Sequence, residues 1–220
     1  MRCIGDEVRR ARMLTTTNTL ILGLEEIQIT ATDPEERRII SPVPWEEYSK
    51  LADRLGDSSR YRVSYLDGTL VIMSPSRSHE KIKKHIAVLL EAYLQEAEID
   101  YYPLGSTTFR KEEGRVGKEP DECYCIGSEK EFPDLAIEIS VTSGGVDTLE
   151  VYKRLGIKEV WLWKNNRFSI YFLAKENYVK QEKSTLLPDL DIGLIEKLAI
   201  AESPRKAVQE LRKNIRSKYK

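Results

Sequence analysis

Phe132-Pro133-Asp134-Leu135-Ala136-Ile137-Glu138-Ile139-Ser140 sets a carboxylate near the middle of an otherwise apolar run. Apolar residues at both alternating positions read as a strand buried on much of both faces. An unpaired carboxylate there costs on the order of several kcal/mol, so Glu138 needs a cation, a metal ion or a mouth of solvent. Upstream, Pro120-Asp121-Glu122 opens another strand. Neighbouring strands lie about 4.8 Å apart, which lets carboxylates from the two converge on one ion, and such hard oxygen donors suit magnesium. The same residues admit a plainer reading, in which Glu138 pairs with a lysine or arginine and Asp121 caps a turn.

Outward from these strands the pattern alternates. Tyr61 to Leu66 and Thr69 to Ser74 are strand-like and separated by Asp67-Gly68, the signature of a tight hairpin. Ile82, Ile86, Leu89, Leu90, Tyr93 and Leu94 form the stripe of an amphipathic helix from Ser78 to about Ala97. A shorter helix begins at Trp45, with Tyr48, Leu51 and Ala52 on its apolar face and Gly56 past its end. Further strands are expected at Tyr101 to Phe109, Glu122 to Ile126, and Glu159 to Trp163 leading into Phe168 to Leu173. Between Ser140 and Glu159, Asp147 can cap a helix, Glu150 completes a capping-box-like pair, and Gly156 ends it. Strand, helix, strand predicts a crossover connection.

Residues 1–40 lack sustained periodicity and read as an extension or loose strand, and 201–220 read as a basic surface helix with Ala207, Leu211 and Ile215 on one side. One domain is expected between them, because 220 residues with 40% hydrophobic content bury one substantial core. The 35 basic and 36 acidic residues nearly cancel to −1, so no global field draws nucleic acid or an anionic membrane, and such a partner must meet a local patch. No apolar run approaches the roughly 20 residues of a membrane span. Cys3, Cys123 and Cys125 make an odd set without metal-like histidine spacing, which predicts free thiols in a reduced, cytoplasmic protein.

Several motifs occur together in a fixed order: Leu66-Asp67-Gly68, Met73-Ser74-Pro75-Ser76, His79-Glu80, Pro120-Asp121-Glu122, Pro133-Asp134-Leu135-Ala136-Ile137-Glu138, and Tyr152 before Leu155-Gly156-Ile157-Lys158-Glu159-Val160-Trp161. Over roughly residues 41–200 the chain resembles the Uma2 family, also known as DUF820, endonucleases of the PD-(D/E)XK class. The resemblance implies an α/β (α+β) fold with a restriction-endonuclease-like central mixed sheet, helices on its flanks and an N-terminal hairpin. It also implies catalytic roles for Glu80, Asp121 and Glu138, with Mg2+ or Mn2+ on Asp121 and Glu138, hydrolysis of a nucleic-acid backbone, DNA above all, and a homodimer. In that class a lysine helps to orient or deprotonate the attacking water.

That lysine is missing from both places the resemblance implies for it. Two residues after Glu138 stands Ser140, and one helical turn before Tyr152 stands Thr148. Lys153 lies roughly 140° round the helix from Thr148, at about 100° per residue, and points elsewhere. Lys118, Lys83 or Lys84 could supply the charge from another segment. Threonine can hold a water but brings no positive charge to a developing phosphorane.

Arg77, Lys81, Lys83 and Lys84 near one helix start, and Arg110, Lys111, Arg115 and Lys118 beside Asp121, are candidates for phosphate contact. Solvated faces are the alternative, since Glu112, Glu113 and Glu119 interrupt the second group. His79 and Glu80 carry a similar double reading, because an acidic residue in a first helical turn favours the helix without any function. Three functions stay open: a metal-dependent endonuclease, an impaired nuclease fold kept as a nucleic-acid-binding or regulatory module, and an interaction domain using the basic tail.

Overall fold

Asp67 and Gly68 adopt φ of 46° and 89°, the positive angles of a tight hairpin, and join β2 (Arg62–Leu66) to β3 (Thr69–Ser74). Their computed structural model describes residues 36–56, 61–139 and 145–218. Expectations resting on Cys3, residues 1–35 and Ser140 lie outside the described residues. Around the hairpin grows a five-stranded antiparallel sheet in the order β1-β3-β2-β6-β5, with β1 at Glu36–Ile40, β5 at Phe109–Lys111 and β6 at Val116–Lys118. Strand β1 comes from the stretch read as an extension. Its main chain pairs with β3, and a charged edge strand satisfies that edge without inviting further pairing.

Helix α1 (Trp45–Leu55) lays Tyr48, Leu51 and Ala52 on this sheet, and Tyr48 stacks on Tyr65 with ring centroids 4.5 Å apart. A Cβ at Gly117 would fall 1.8 Å from the Tyr48 hydroxyl, so β6 can pass beneath Tyr48 only with glycine there.

The second sheet has six strands in the order β11-β10-β9-β8-β7-β4. These are β4 (Tyr101–Pro103), β7 (Glu122–Ile126), β8 (Leu135–Ile139), β9 (Glu159–Lys164), β10 (Arg167–Ala174) and β11 (Asn177–Gln181). Strands β8 and β9 are parallel, and every other pair is antiparallel. The parallel pair is joined through α3 (Thr148–Leu155), the expected crossover helix. Asp147 accepts from the amides of Leu149 and Glu150 at its start, while Gly156, at φ 84°, ends it in the left-handed region. Glu150 turns forward to Lys153 and Arg154.

The alternation along β8 sorts its two faces. Leu135, Ile137 and Ile139 join α2 (Arg77–Glu96), α4 (Ile192–Ala199) and α5 (Pro204–Lys218) in one core with Tyr124, Trp161 and Trp163. Ala136 joins Val151, Tyr152 and Leu155 of α3 on the other face, together with Phe109 and Val116 of the first sheet. Each large side chain so buried contributes about 1.5–3 kcal/mol. The C-terminal helix belongs to the first of these cores through Ala207, Leu211 and Ile215, and Arg216 forks onto Glu96 with two contacts of 2.7 Å.

Several elements depart from the sequence reading. The segment Tyr101 to Phe109 is two strands in different sheets, divided where Gly105 takes φ 59°. Strands β6 and β11 and helix α4 had no clear signature. Among the described residues, no helix is long and apolar enough to cross a membrane.

Candidate active site

Three residues, Glu119-Pro120-Asp121, carry the chain from β6 in the first sheet to β7 in the second. Strand β7 pairs with β8 as Glu122 opposite Ile137, and continuing that register by one residue sets Asp121 against Glu138. The two carboxylates singled out in the sequence therefore meet at the seam between the sheets, and polar side chains from both sheets and two helices surround them.

Asp121 is 2% exposed and accepts two hydrogen bonds. The Ile139 amide donates to Oδ2 at 2.8 Å, and His79 Nε2 lies 2.9 Å from Oδ1. Burial alone would raise its pKa, but the His79 contact, the Ile139 amide and the Lys118 charge outweigh it and hold the carboxyl below the usual range. His79 is itself fully buried, near the N-terminus of α2, where its amide donates to the capping Ser76 hydroxyl.

Glu138 is shifted the opposite way. Burial pushes its pKa up and the Asp121 charge adds to that, against the pull of Lys118 and the Tyr152 hydroxyl. Tyr152 of α3 donates to Glu138 Oε1, and burial beside that carboxylate drives the phenol pKa well above normal. Lys118 Nζ stands 3.0 Å from Glu138 Oε2 and donates to Ser64 Oγ at 3.1 Å. Its side chain, on β6, is 10% exposed, and that of Glu138 is 13% exposed.

Glu80 belongs to the adjoining part of the cluster. Its carboxylate takes Lys83 Nζ at 2.7 Å and lies 3.7 Å from Arg62 Nη2. Arg62 Nη1 reaches Glu119 Oε1 at 3.0 Å as an ion pair, although the approach is not aligned as a hydrogen bond. Burial pushes Glu119 up to about 7, offset in part by Arg62 and Lys118 and reinforced by Asp121. Among the described residues, no three histidine, cysteine, aspartate or glutamate side chains stand close enough to hold a metal ion together. Glu80 stands beside the Asp121–Glu138 pair, held by Lys83 and near Arg62.

The remaining candidate cations fall into three groups. Lys83 and Lys118 are buried inside the cluster and neutralise carboxylates there. Arg77 and Lys81 are exposed on the first turns of α2, and Lys84 is exposed while bonding Glu122 at 2.8 Å. Arg110 pairs with Asp53, and Lys111 donates to the Leu155 carbonyl at the end of α3, so both tie elements together. Thr148 is half-buried at the start of α3, one turn before Tyr152. Cys123 and Cys125 are buried free thiols. Arg62, Ser64 and Glu119 carry no separate signal in the sequence, because each becomes distinctive only through partners brought to it by the fold.

A family model, Uma2, described as "Putative restriction endonuclease", matches residues 45–200. The chain belongs to the Uma2 family. No curated protein matches it. The family carries a nuclease-like function, and the mixed α+β architecture of this Uma2 chain, with its two sheets and flanking helices, agrees with a restriction-endonuclease-like fold.

The donor set suits a small divalent cation. Asp121 is buried and held ionised, and its charge makes the half-buried Glu138 harder to ionise, a cost that a cation beside both would relieve. Magnesium needs only one or two protein carboxylates when waters and substrate oxygens complete its shell, so the pair meets that need without Glu80.

Proposed function

We propose that this protein is a divalent-metal-dependent endonuclease, acting in the cytoplasm, that hydrolyses phosphodiester bonds of DNA at the Asp121–Glu138 pair. The observation that supports the reading is the placing of buried Asp121 opposite half-buried Glu138 at the seam between the sheets, in a chain of the Uma2 family.

Asp121 and Glu138 would hold Mg2+ or Mn2+. Such an ion polarises a phosphoryl oxygen and makes a nearby water a better nucleophile at neutral pH. The protein's own groups prepare the pair. His79 and the Ile139 amide fix both oxygens of Asp121, keeping it ionised and aimed. Tyr152 fixes one oxygen of Glu138 from α3, and Lys118 neutralises the other from β6. The exposed Arg77 and Lys84 near the start of α2 can meet phosphates beyond the cluster, a contact that weakens as salt rises.

The test is cleavage of supercoiled and linear DNA by purified protein with Mg2+ or Mn2+. Asp121→Asn and Glu138→Gln should each lower the rate by about 100-fold or more. Equal cleavage by the parent and both variants would remove the assignment. Metal-independent binding of DNA without cleavage would favour the binding-module reading.

A further inference from the structure

We infer that Lys118, supplied by β6, is a catalytic residue that brings positive charge to the phosphodiester at the Asp121–Glu138 pair. The inference rests on the proposed hydrolysis and adds a residue to it.

Hydrolysis adds water across a P–O bond. The water oxygen bonds to phosphorus, the bond to one sugar oxygen breaks, and one water proton ends on that leaving oxygen. Negative charge accumulates on the phosphoryl oxygens meanwhile, and a preorganised cation in a poorly hydrated site stabilises it far better than one in water. Lys118 remains an ammonium throughout, so no further proton needs a destination.

Three observations bring Lys118 to that role. Its ammonium already lies at the reaction centre, 3.0 Å from Glu138 Oε2. Its aim is set by a hydrogen bond to Ser64 Oγ at 3.1 Å, from the strand that pairs with β6 in the register Ser64 opposite Lys118. The other two buried cations of the cluster are engaged elsewhere, Lys83 on Glu80 and Arg62 on Glu119 and Glu80. Thr148, one turn before Tyr152 on the same face of α3, carries no charge of its own.

A cation entering between Asp121 and Glu138 would compete with this ammonium for Glu138. Removing Lys118 therefore has two opposite consequences: the metal binds more tightly, and the chemistry loses its positive charge. A lysine that only propped the fold would not separate these effects.

The experiment compares the parent, Lys118→Met, Lys118→Arg, the double variant Lys118→Met/Thr148→Lys, Asp121→Asn and Glu138→Gln. DNA cleavage is measured with Mn2+, and Mn2+ binding without DNA is measured by titration calorimetry. Lys118→Met should lose about 100-fold in cleavage and gain about tenfold in Mn2+ affinity through loss of the competing charge. Lys118→Arg, which keeps the ion pair and hence the fold, should bind Mn2+ like the parent and cut at an intermediate rate. The double variant should recover at least about tenfold of the lost cleavage, because a lysine one turn before Tyr152 faces the same carboxylate. Unchanged cleavage in Lys118→Met, with Asp121→Asn and Glu138→Gln inactive, overturns the role of Lys118 and leaves the proposed reaction standing. Joint loss of cleavage and Mn2+ binding in Lys118→Met, or no recovery in the double variant, also overturns it. A parent that cuts nothing, or an Asp121→Asn variant that cuts as well as the parent, overturns both.

Discussion

Glu138 and Glu159 sit on neighbouring parallel strands of one sheet, and their partners differ in kind. Glu159 is fully buried and accepts from Trp161 Nε1 and Ser184 Oγ at 2.6 Å each, and from the amides of Thr185 and Leu186 at 2.7 and 3.1 Å. Every donor is a neutral group of the fold, and together they pin the segment after β11 against β9. Glu138 is held instead by a lysine and a tyrosine from other elements, beside a second carboxylate that opposes its ionisation. A carboxylate that serves the fold is surrounded by fixed neutral donors. One available for chemistry is kept by partners able to exchange it for something else.

The largest expected break in this contrast is Glu159→Ala. It strands two buried and two part-buried donors and should cost about 3 kcal/mol, or a fall in Tm on the order of 10 °C, measured by thermal and urea unfolding. Glu138→Gln, which should stop cleavage, is expected to change stability by no more than about 1 kcal/mol, because losing the Lys118 pair is offset by relief from Asp121. Equal losses from the two substitutions would erase the distinction.

A smaller effect lies in the pH dependence of the seam. Burial holds the proton on folded Glu119 up to about 7, against an ordinary value of 4.5, so the folded state binds more protons across that interval. Its contribution to stability is complete below the unfolded pKa and is lost as pH rises through about 7. Asp121, shifted down, has the opposite sign: it stabilises above its unfolded pKa and ceases to do so as pH falls through its folded one. Glu119→Gln should flatten the decline between roughly pH 5 and 8 by on the order of 2 kcal/mol, read from urea unfolding at both ends. An unchanged slope would mean that another group titrates there. The smallest effect is expected from Tyr152→Phe, about tenfold on cleavage with stability altered by about 1 kcal/mol, since Glu138 keeps Lys118.

What was legible in the sequence is what local chemistry dictates. Asp67-Gly68 can hardly be anything but a turn, Asp147 and Gly156 bracket a helix, and the stripe from Ile82 to Leu94 has one apolar face. Asp121 and Glu138 stood out because carboxylates in apolar strands need an explanation. Strand β6 was hidden because Val116-Gly117-Lys118 is three residues long, holds a glycine, and is defined by Tyr48 crossing above it. Lys118 looked like one of several loop cations, and only its pairing opposite Ser64 turns it toward Glu138. His79 could be read as solvated until α2 was set against the start of β7, where its ring meets Asp121. Strand β11, exposed at several positions and polar in composition, lacks the alternation that marks a half-buried strand.

The short crossing Glu119-Pro120-Asp121 gives the molecule an order in time. During synthesis Arg62, Ser64, His79, Lys118 and Asp121 are all joined to the chain before Glu138 and Tyr152. A nascent chain halted before Leu135 holds one carboxylate of the pair and the lysine that would later meet the other. The carboxylate pair is therefore completed only after every strand of the first sheet and α2 has been synthesised.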